Sequence, residues 1–157
     1  NKEAVDFSLL NFGGIRSSLK AGNITIGDIF EIAPFENNLV IVDLKGSEVR
    51  KIFRRFKVKK CEPYSQQVNI QYAGDYFYKA LINGQEIDNN KTYRMITLDF
   101  ILTGGDDIIK DVELGNVDNT GIVVRDAYIK HIKKMTAEGK NVTGKTDKRM
   151  YIIPQPR

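Results

Sequence analysis

The sequence is 157 residues long, has a formal net charge of +4, and contains one cysteine and one histidine. This length fits one domain, and 41% hydrophobic with 28% charged residues is typical of a globular protein. The lone Cys61 excludes an internal disulfide, and the lone His131 argues against a histidine-based two-metal centre in this chain. No stretch approaches the ~20 apolar residues that span a bilayer, so we expect no membrane helix.

The first elements follow from local signals. Residues 5–10, VDFSLL, predict a buried strand that leads into a glycine pair. Thr25 lies three residues before Asp28, which predicts a capping box for a short helix that ends before Pro34. The β-branched run NLVIVDLK, residues 38–45, then predicts a strand.

An amphipathic helix is predicted over residues 49–57. Its apolar residues recur at i, i+3, i+4 and i+7, which places them on one buried face: Val49, Ile52, Phe53 and Phe56. Its basic residues occupy the other face: Arg50, Lys51, Arg54 and Arg55. We interpret the basic side as a solvated surface; the alternative is a patch for phosphate or nucleic acid. Single-stranded nucleic acid favours aromatics along a basic groove, whereas these phenylalanines lie on the apolar face, which argues against nucleic acid.

The second half predicts further strands and one long helix. Residues 67–72 and 76–84 read as strands around a turn, and a strong strand is predicted from Tyr93 to Phe100, where LTGGDD ends it. Asp118 or Asn119 is a candidate N-cap for a helix over residues 120–137. Three further features are predicted: Gly139 as the helix stop, a polar loop through about residue 148, and the closing strand RMYIIP. Because sheets and helices alternate irregularly, the class is α+β.

Three loops carry the candidate site. NFGGIR holds Arg16, PFENN holds Phe35 and Asn37, and DFILTGGDD holds a set of further candidates: Phe100, Gly104, Gly105 and Asp106. Two aromatic faces suit a planar base, an amide or carboxylate suits its edge, and an arginine suits anionic oxygens. Glycines let backbone approach a ligand, although in turns they usually serve positive φ. These residue types predict a nucleotide site if the three loops converge.

The combination of GGIR, a following G-x-I-T, PF-x-N and TGGD resembles the C-terminal domain of the 5′-nucleotidase family, which includes UDP-sugar hydrolases and 2′,3′-cyclic-nucleotide phosphodiesterases. The resemblance runs from about residue 4 to about residue 132. It implies a layered α/β/β/α domain with mixed sheets that binds the nucleotide, while a separate calcineurin-like domain holds two metal ions and hydrolyses the phosphate ester.

The resemblance also implies a role for each candidate residue. Phe35 and Phe100 look like the two aromatics that stack on the base, and Asn37 looks like the amide that bonds it. Asp106, in the glycine loop with Gly104 and Gly105, looks like the acid that contacts the substrate, with the ribose as the expected contact. Arg16 looks like the arginine that contacts the anionic groups of the substrate. Two positions depart from the family pattern: Asp99 stands where Asn is common, and Asp107 stands where Gly is common.

We therefore expect residues 1–157 to form one nucleotide-binding domain with no catalytic or metal-ligating residue of its own. The family's upstream helix, with further phosphate-contacting arginines, and its metallophosphoesterase domain are expected to lie outside this chain, in cis or in trans. Divalent metals (Zn or Mn) belong to that domain, so the isolated chain is expected to be inactive as a hydrolase. The family implies a periplasmic or extracellular location. A stand-alone nucleoside-binding or protein-interaction module without hydrolytic activity is the alternative.

Overall fold

The structure is a computed structural model that describes residues 4–56, 61–145 and 147–153. Its helices and strands in chain order are β1 (Phe7–Ser8), α1 (Ile26–Ile32), β2 (Asn38–Lys45), α2 (Gly46–Arg55), β3 (Val68–Ala73), β4 (Tyr76–Ile82), β5 (Gln85–Glu86), β6 (Thr92–Leu98), α3 (Asp99–Leu102), β7 (Val117–Val123), α4 (Val124–Ala137) and β8 (Met150–Ile153). Two 3₁₀ turns, Phe12–Gly14 and Gly105–Asp107, lie in the candidate loops.

The strands form two mixed four-stranded sheets, which confirms the predicted α+β class. The first sheet has the order β1-β6-β2-β7, with β1 parallel to β6 and the other pairs antiparallel. The second has the order β5-β4-β3-β8, with β8 parallel to β3. β1, β2 and β6 each run directly toward one of the three candidate loops or out of it, so the first sheet positions the site.

One hydrophobic core joins the two sheets through α2. This helix contacts β2 and β6 of the first sheet and β4 of the second. The four apolar residues predicted for its inner face are all buried, which confirms that prediction: Val49, Ile52, Phe53 and Phe56. The buried Tyr72 hydroxyl lies 2.8 Å from the carbonyl oxygen of Phe56 and 3.2 Å from that of Phe53, and it satisfies the helix end by hydrogen bonding.

The capping box of α1 is confirmed. The backbone N–H of Asp28 donates to Thr25 Oγ1 at 3.2 Å, and the backbone N–H of Thr25 donates to Asp28 Oδ2 at 2.6 Å. The hydrogen bond from the Thr25 side chain lowers the pKa of Asp28, with a further contribution from the Thr25 backbone. The helix ends at Ile32, two residues before Pro34, because proline disfavours the helical conformation in the residue before it.

Helix α2 begins earlier than predicted, at Gly46. A Cβ on Gly46 would lie 1.9 Å from the carbonyl oxygen of Asp88, so only glycine allows this close approach. The helix ends at Arg55; the predicted end at Lys57 lies outside the described residues. The basic side chains of the helix have protein partners: Arg50 with Glu86, Lys51 with Glu48, Arg55 with Asp111, and Arg54 over the Phe77 ring. These contacts compete with an external phosphate.

Two predicted boundaries are wrong. β6 ends at Leu98, and Phe100 lies on α3, because the Asp99 carboxylate accepts a hydrogen bond from the Phe100 N–H and turns the chain. The long helix begins at Val124, not at residue 120. Residues 117–123 pair with β2 as an edge strand, which sequence periodicity does not reveal. The predicted stop holds: Gly139 adopts φ 68° just after the helix.

Cys61 and His131 occupy unremarkable positions. The Cys61 thiol is partly buried, and loss of hydration raises its pKa to about 11, so it is protonated at neutral pH. His131 is exposed on α4, as predicted. None of the described helices combines the length and apolar character that a membrane span requires.

Candidate functional site

The three candidate loops meet at one cavity of about 220 Å³. It is lined by Asn11, Gly13, Gly14, Arg16, Phe35, Asn37, Phe100 and Asp106. Five residues that the sequence singled out therefore lie together, although up to 90 positions separate them along the chain. Gly104 and Gly105 do not line the cavity. Its volume is below the ~300–1,000 Å³ of sites for drug-sized ligands, so it fits a heterocycle better than a whole nucleotide.

The two aromatic rings are both partly open to solvent. Phe35 lies on the loop between α1 and β2 and is 40% exposed; Phe100 lies on α3 and is 41% exposed. Neither ring points into the protein core, and both border the same cavity. Both rings thus have exposed apolar surface beside the cavity that a planar ligand could cover.

The two glycines of TGGDD support the Phe100 ring without lining the cavity themselves. A Cβ on Gly105 would lie 2.3–2.6 Å from three atoms of the Phe100 ring, so the ring rests against bare backbone. Gly104 has φ 96°, a conformation that side chains disfavour, and nothing lies within 4 Å of its Cβ position. Their role in the structure is thus to seat the ring and turn the loop.

Asn11 also lines the cavity, and the sequence analysis did not single it out. Its Nδ2 donates to Asp106 Oδ2 at 2.7 Å, across 95 positions of the chain. Asn11 is only 4% exposed, and its Oδ1 is buried without a hydrogen-bond partner among the described residues. A buried acceptor of this kind is costly unless a ligand or water supplies a donor. The signal in the sequence was a polar residue that follows the apolar run VDFSLL and lies two positions before a glycine pair.

The glycine pair makes room for Asn11. A Cβ on Gly14 would lie 2.9 Å from Asn11 Oδ1, and a Cβ on Gly13 would lie 3.3 Å from Asn11 Nδ2 and 3.4 Å from Asp106 Oδ2. Asp106 itself has φ 58° and the next residue, Asp107, has φ 54°. Two consecutive non-glycine residues in the left-handed region store strain, which is typical of functional loops.

Arg16 brings a positive charge to the cavity. Its guanidinium lies 5.1 Å from the centroid of the Phe35 ring, a cation–π contact. Its backbone N–H donates to the Ile32 carbonyl at 2.9 Å, which ties the glycine loop to the end of α1. The cation and the Asp106 carboxylate therefore border the same space, so one ligand could meet both charges.

Asp99, a departure from the family pattern, connects the two aromatic loops. Its Oδ2 accepts from Asn38 Nδ2 at 3.0 Å, and its Oδ1 accepts from the Phe100 N–H at 2.8 Å. The side chain of Asn37, the residue before Asn38, lines the cavity, and its backbone carbonyl accepts a hydrogen bond from the Val124 N–H at 3.0 Å. The hydrogen bond between Asn38 and Asp99 thus joins the loops that carry Phe35 and Phe100, and the bond from Val124 ties the Phe35 loop to α4.

This arrangement offers two aromatic faces, amide groups, a carboxylate and a guanidinium, which is the equipment for binding a planar heterocycle with polar and anionic substituents. Among the described residues, no group of three or more His, Cys, Asp or Glu side chains is placed to hold a metal ion.

Comparison with known proteins identifies the family. Residues 1–111 match the model of the family described as 5′-nucleotidase, C-terminal domain. The Protein UshA of Yersinia enterocolitica is 36% identical over 137 residues, which cover 85% of this chain and 25% of the relative. The chain therefore spans about a quarter of the length of such curated relatives.

Solved structures agree with the sequence match. The 5′-nucleotidase precursor from Thermus thermophilus is 25% identical with a TM-score of 0.77, over 97% of this chain and 32% of that one. The NAD nucleotidase of Haemophilus influenzae, 20% identical with a TM-score of 0.73 over 94% of this chain and 30% of that one, shares the fold. The chain belongs to the family of 5′-nucleotidase C-terminal domains.

Proposed function

We propose that this domain binds the nucleoside part of a nucleotide, with the base between the rings of Phe35 and Phe100. The observation that carries the proposal is the convergence of both half-exposed rings on one 220 Å³ cavity. Stacking on aromatic side chains is worth ~1–3 kcal/mol per base and tolerates any base.

The polar residues would orient the rest of the ligand. Asp106 Oδ2 already accepts from Asn11, so Oδ1 is the oxygen that would accept from a ribose hydroxyl. Asn37 would bond the edge of the base, and Arg16 would meet an anionic group with its guanidinium. The buried Asn11 Oδ1 would accept from a ligand donor and so lose its unpaired state.

Hydrolysis is assigned to another domain. The described residues do not fit a dinuclear metal site, so a metallophosphoesterase domain, in cis or in trans, would hold the divalent metals, Zn or Mn. We assign no bond-breaking step to this chain. The match covers only 25% of the curated relative's length, which supports such a division of labour. We also propose a periplasmic or extracellular location, which the family resemblance supports.

Calorimetry with adenosine, AMP and a UDP-sugar tests the proposal. Phe35→Ala and Phe100→Ala should each weaken nucleoside binding by about 5–150-fold, which corresponds to ~1–3 kcal/mol. The double variant should lose less than the sum, because the second ring contributes little once the slot is open. Tyr76→Ala is the matched control, since Tyr76 is a 76% exposed aromatic residue on β4, outside the cavity.

Two results would contradict the proposed function. The first is the absence of binding at millimolar ligand by the folded wild-type chain. The second is a strictly additive loss in the double variant, which would mean that Phe35 and Phe100 do not share one ligand.

A further inference from the structure

Arg125, near the start of α4, hydrogen-bonds to the backbone of the Phe35 loop outside the cavity. Its Nη1 donates to the carbonyl oxygens of Ala33 at 3.3 Å and Pro34 at 3.2 Å. Its Nη2 lies 3.6 Å from Glu36 Oε1. One guanidinium therefore contacts residues on both sides of Phe35, and it is more than 90 positions away from the two carbonyls in sequence.

The burial of Arg125 strengthens its bonds to the two backbone carbonyls, whereas the Glu36 side chain is 84% exposed. Arg125 is only 7% exposed, and its guanidinium lies 4.0 Å from the centroid of the Phe30 ring on α1. Hydrogen bonds from a charged donor in a poorly hydrated place are stronger than those between neutral groups. The neighbouring Val124 N–H holds the carbonyl of Asn37 at 3.0 Å. Two consecutive residues of α4 thus fix the loop before and after its aromatic residue.

The Phe35 ring depends on this support because it has little packing of its own. It is 40% exposed and lies outside the hydrophobic core cluster, so its position depends on the path of the backbone as well as on the Arg16 guanidinium over the ring. Arg125 itself does not line the cavity. We propose that Arg125 is a positioning residue, which holds Phe35 at the spacing from Phe100 that a base requires. The effect on nucleoside binding rests on the proposed function.

A matched control distinguishes the proposed positioning role of Arg125 from a purely structural role. Arg50 on α2 makes the same kinds of contact near β5: its guanidinium donates to the Ile87 carbonyl and lies 3.1 Å from Glu86 Oε1. Arg50→Met and Arg125→Met therefore both remove a bond to a backbone carbonyl and an ion pair with a glutamate, and both should lower the melting temperature. Only Arg125→Met removes them at the Phe35 loop.

The experiment measures adenosine affinity and the ring environment in the same variants, below their melting temperatures. We expect Arg125→Met to weaken adenosine binding by about 10–100-fold, since a misplaced loop loses the aligned ring. Arg125→Lys should fall between it and the wild type, because a single ammonium cannot bridge both carbonyls and Glu36. Arg50→Met should bind as the wild type does. With 4-fluorophenylalanine at position 35, the ¹⁹F line should broaden or shift in Arg125→Met and remain unchanged in Arg50→Met.

The proposal is overturned if Arg125→Met binds adenosine as tightly as the wild type, or if Arg50→Met weakens binding equally. If Arg125→Met fails to fold, adenosine affinity and the ¹⁹F line are measured in Arg125→Lys and Glu36→Gln instead. Glu36 is exposed, so its substitution should be tolerated. Should the wild type not bind adenosine, the proposed function fails. The ¹⁹F line then decides the positioning role by itself: an unchanged line in Arg125→Met refutes it, and a changed line supports it.

Discussion

The contact between Gly105 and Phe100 allows the aromatic slot to be disturbed without touching the ring residue. In Gly105→Ala the new methyl group would lie 2.3–2.6 Å from three ring atoms, well inside van der Waals contact. Gly105 does not have a positive φ, so the backbone accepts alanine. Because Phe100 is 41% exposed, the cheapest response is rotation of the ring away from the loop.

The expected cost falls on binding more than on folding. A displaced ring gives up one stacked face, which is worth ~1–3 kcal/mol, so adenosine affinity should fall by about 5–150-fold. The ring leaves a partly solvated position, so little buried apolar area is lost. The melting temperature of Gly105→Ala should therefore stay close to that of the wild type.

Gly104→Ala is the control, since it should lower stability without displacing the Phe100 ring. Its Cβ would meet nothing within 4 Å, but the residue has φ 96°. Alanine there is strained by ~1–3 kcal/mol, which should lower the melting temperature while leaving the Phe100 ring in place. Calorimetric titration with adenosine and thermal unfolding of both variants form the assay. The reasoning is refuted if Gly105→Ala binds adenosine normally, or if its affinity and its stability fall together as in a general loss of structure.

Three further predictions follow from individual contacts. Asn11→Asp places a carboxylate against Asp106 in place of the donor that now holds it, so adenosine affinity measured by calorimetry should fall at least ~10-fold; normal affinity would contradict the role of this pair. The hydrogen bond from Lys51 lowers the pKa of the buried Glu48 in the folded protein. The ionised Glu48 carboxylate therefore stabilises the fold above the ordinary glutamate pKa of about 4.3, and this contribution is lost as the pH falls through the lowered pKa of the folded state. Chemical unfolding from pH 7 to pH 3 should therefore show a shallower decline for Glu48→Gln than for the wild type; equal declines would count against this linkage. Because burial raises the pKa of Cys61 to about 11, its thiol should react slowly with a disulfide reagent at pH 7.5 and rapidly in denaturant, and rapid labelling of the folded chain would show that the thiol is accessible.

Local sequence signals predicted those elements that short-range interactions define. The capping box of Thr25 and Asp28, the apolar face of α2 and the stop at Gly139 depend on residues within a few positions of each other, so their patterns can be read along the chain. The start of α4 could not be read in this way. Residues 117–123 carry a plausible N-cap, but their backbone pairs with β2, and strand pairing across such a distance overrides local preference.

The candidate site likewise has parts that the sequence predicts and parts that depend on tertiary packing. Its residue types, and the resemblance that they carry, were present in three short motifs, and five of the seven predicted residues lie around one cavity. Gly104 and Gly105 act behind the site instead, because the close approach of the Phe100 ring is a fact of three-dimensional packing.

By itself, then, the sequence determined the family, the α+β class and the chemical groups available to a ligand, since these depend on residue identity and short spacings. The tertiary structure alone decided that the groups converge, that Asn11 orients Asp106 across 95 positions, and that Arg125 holds the loop of Phe35. The physical reason is that hydrogen bonds and burial reward proximity in space. A single sequence leaves no trace of which distant donor will reach which acceptor.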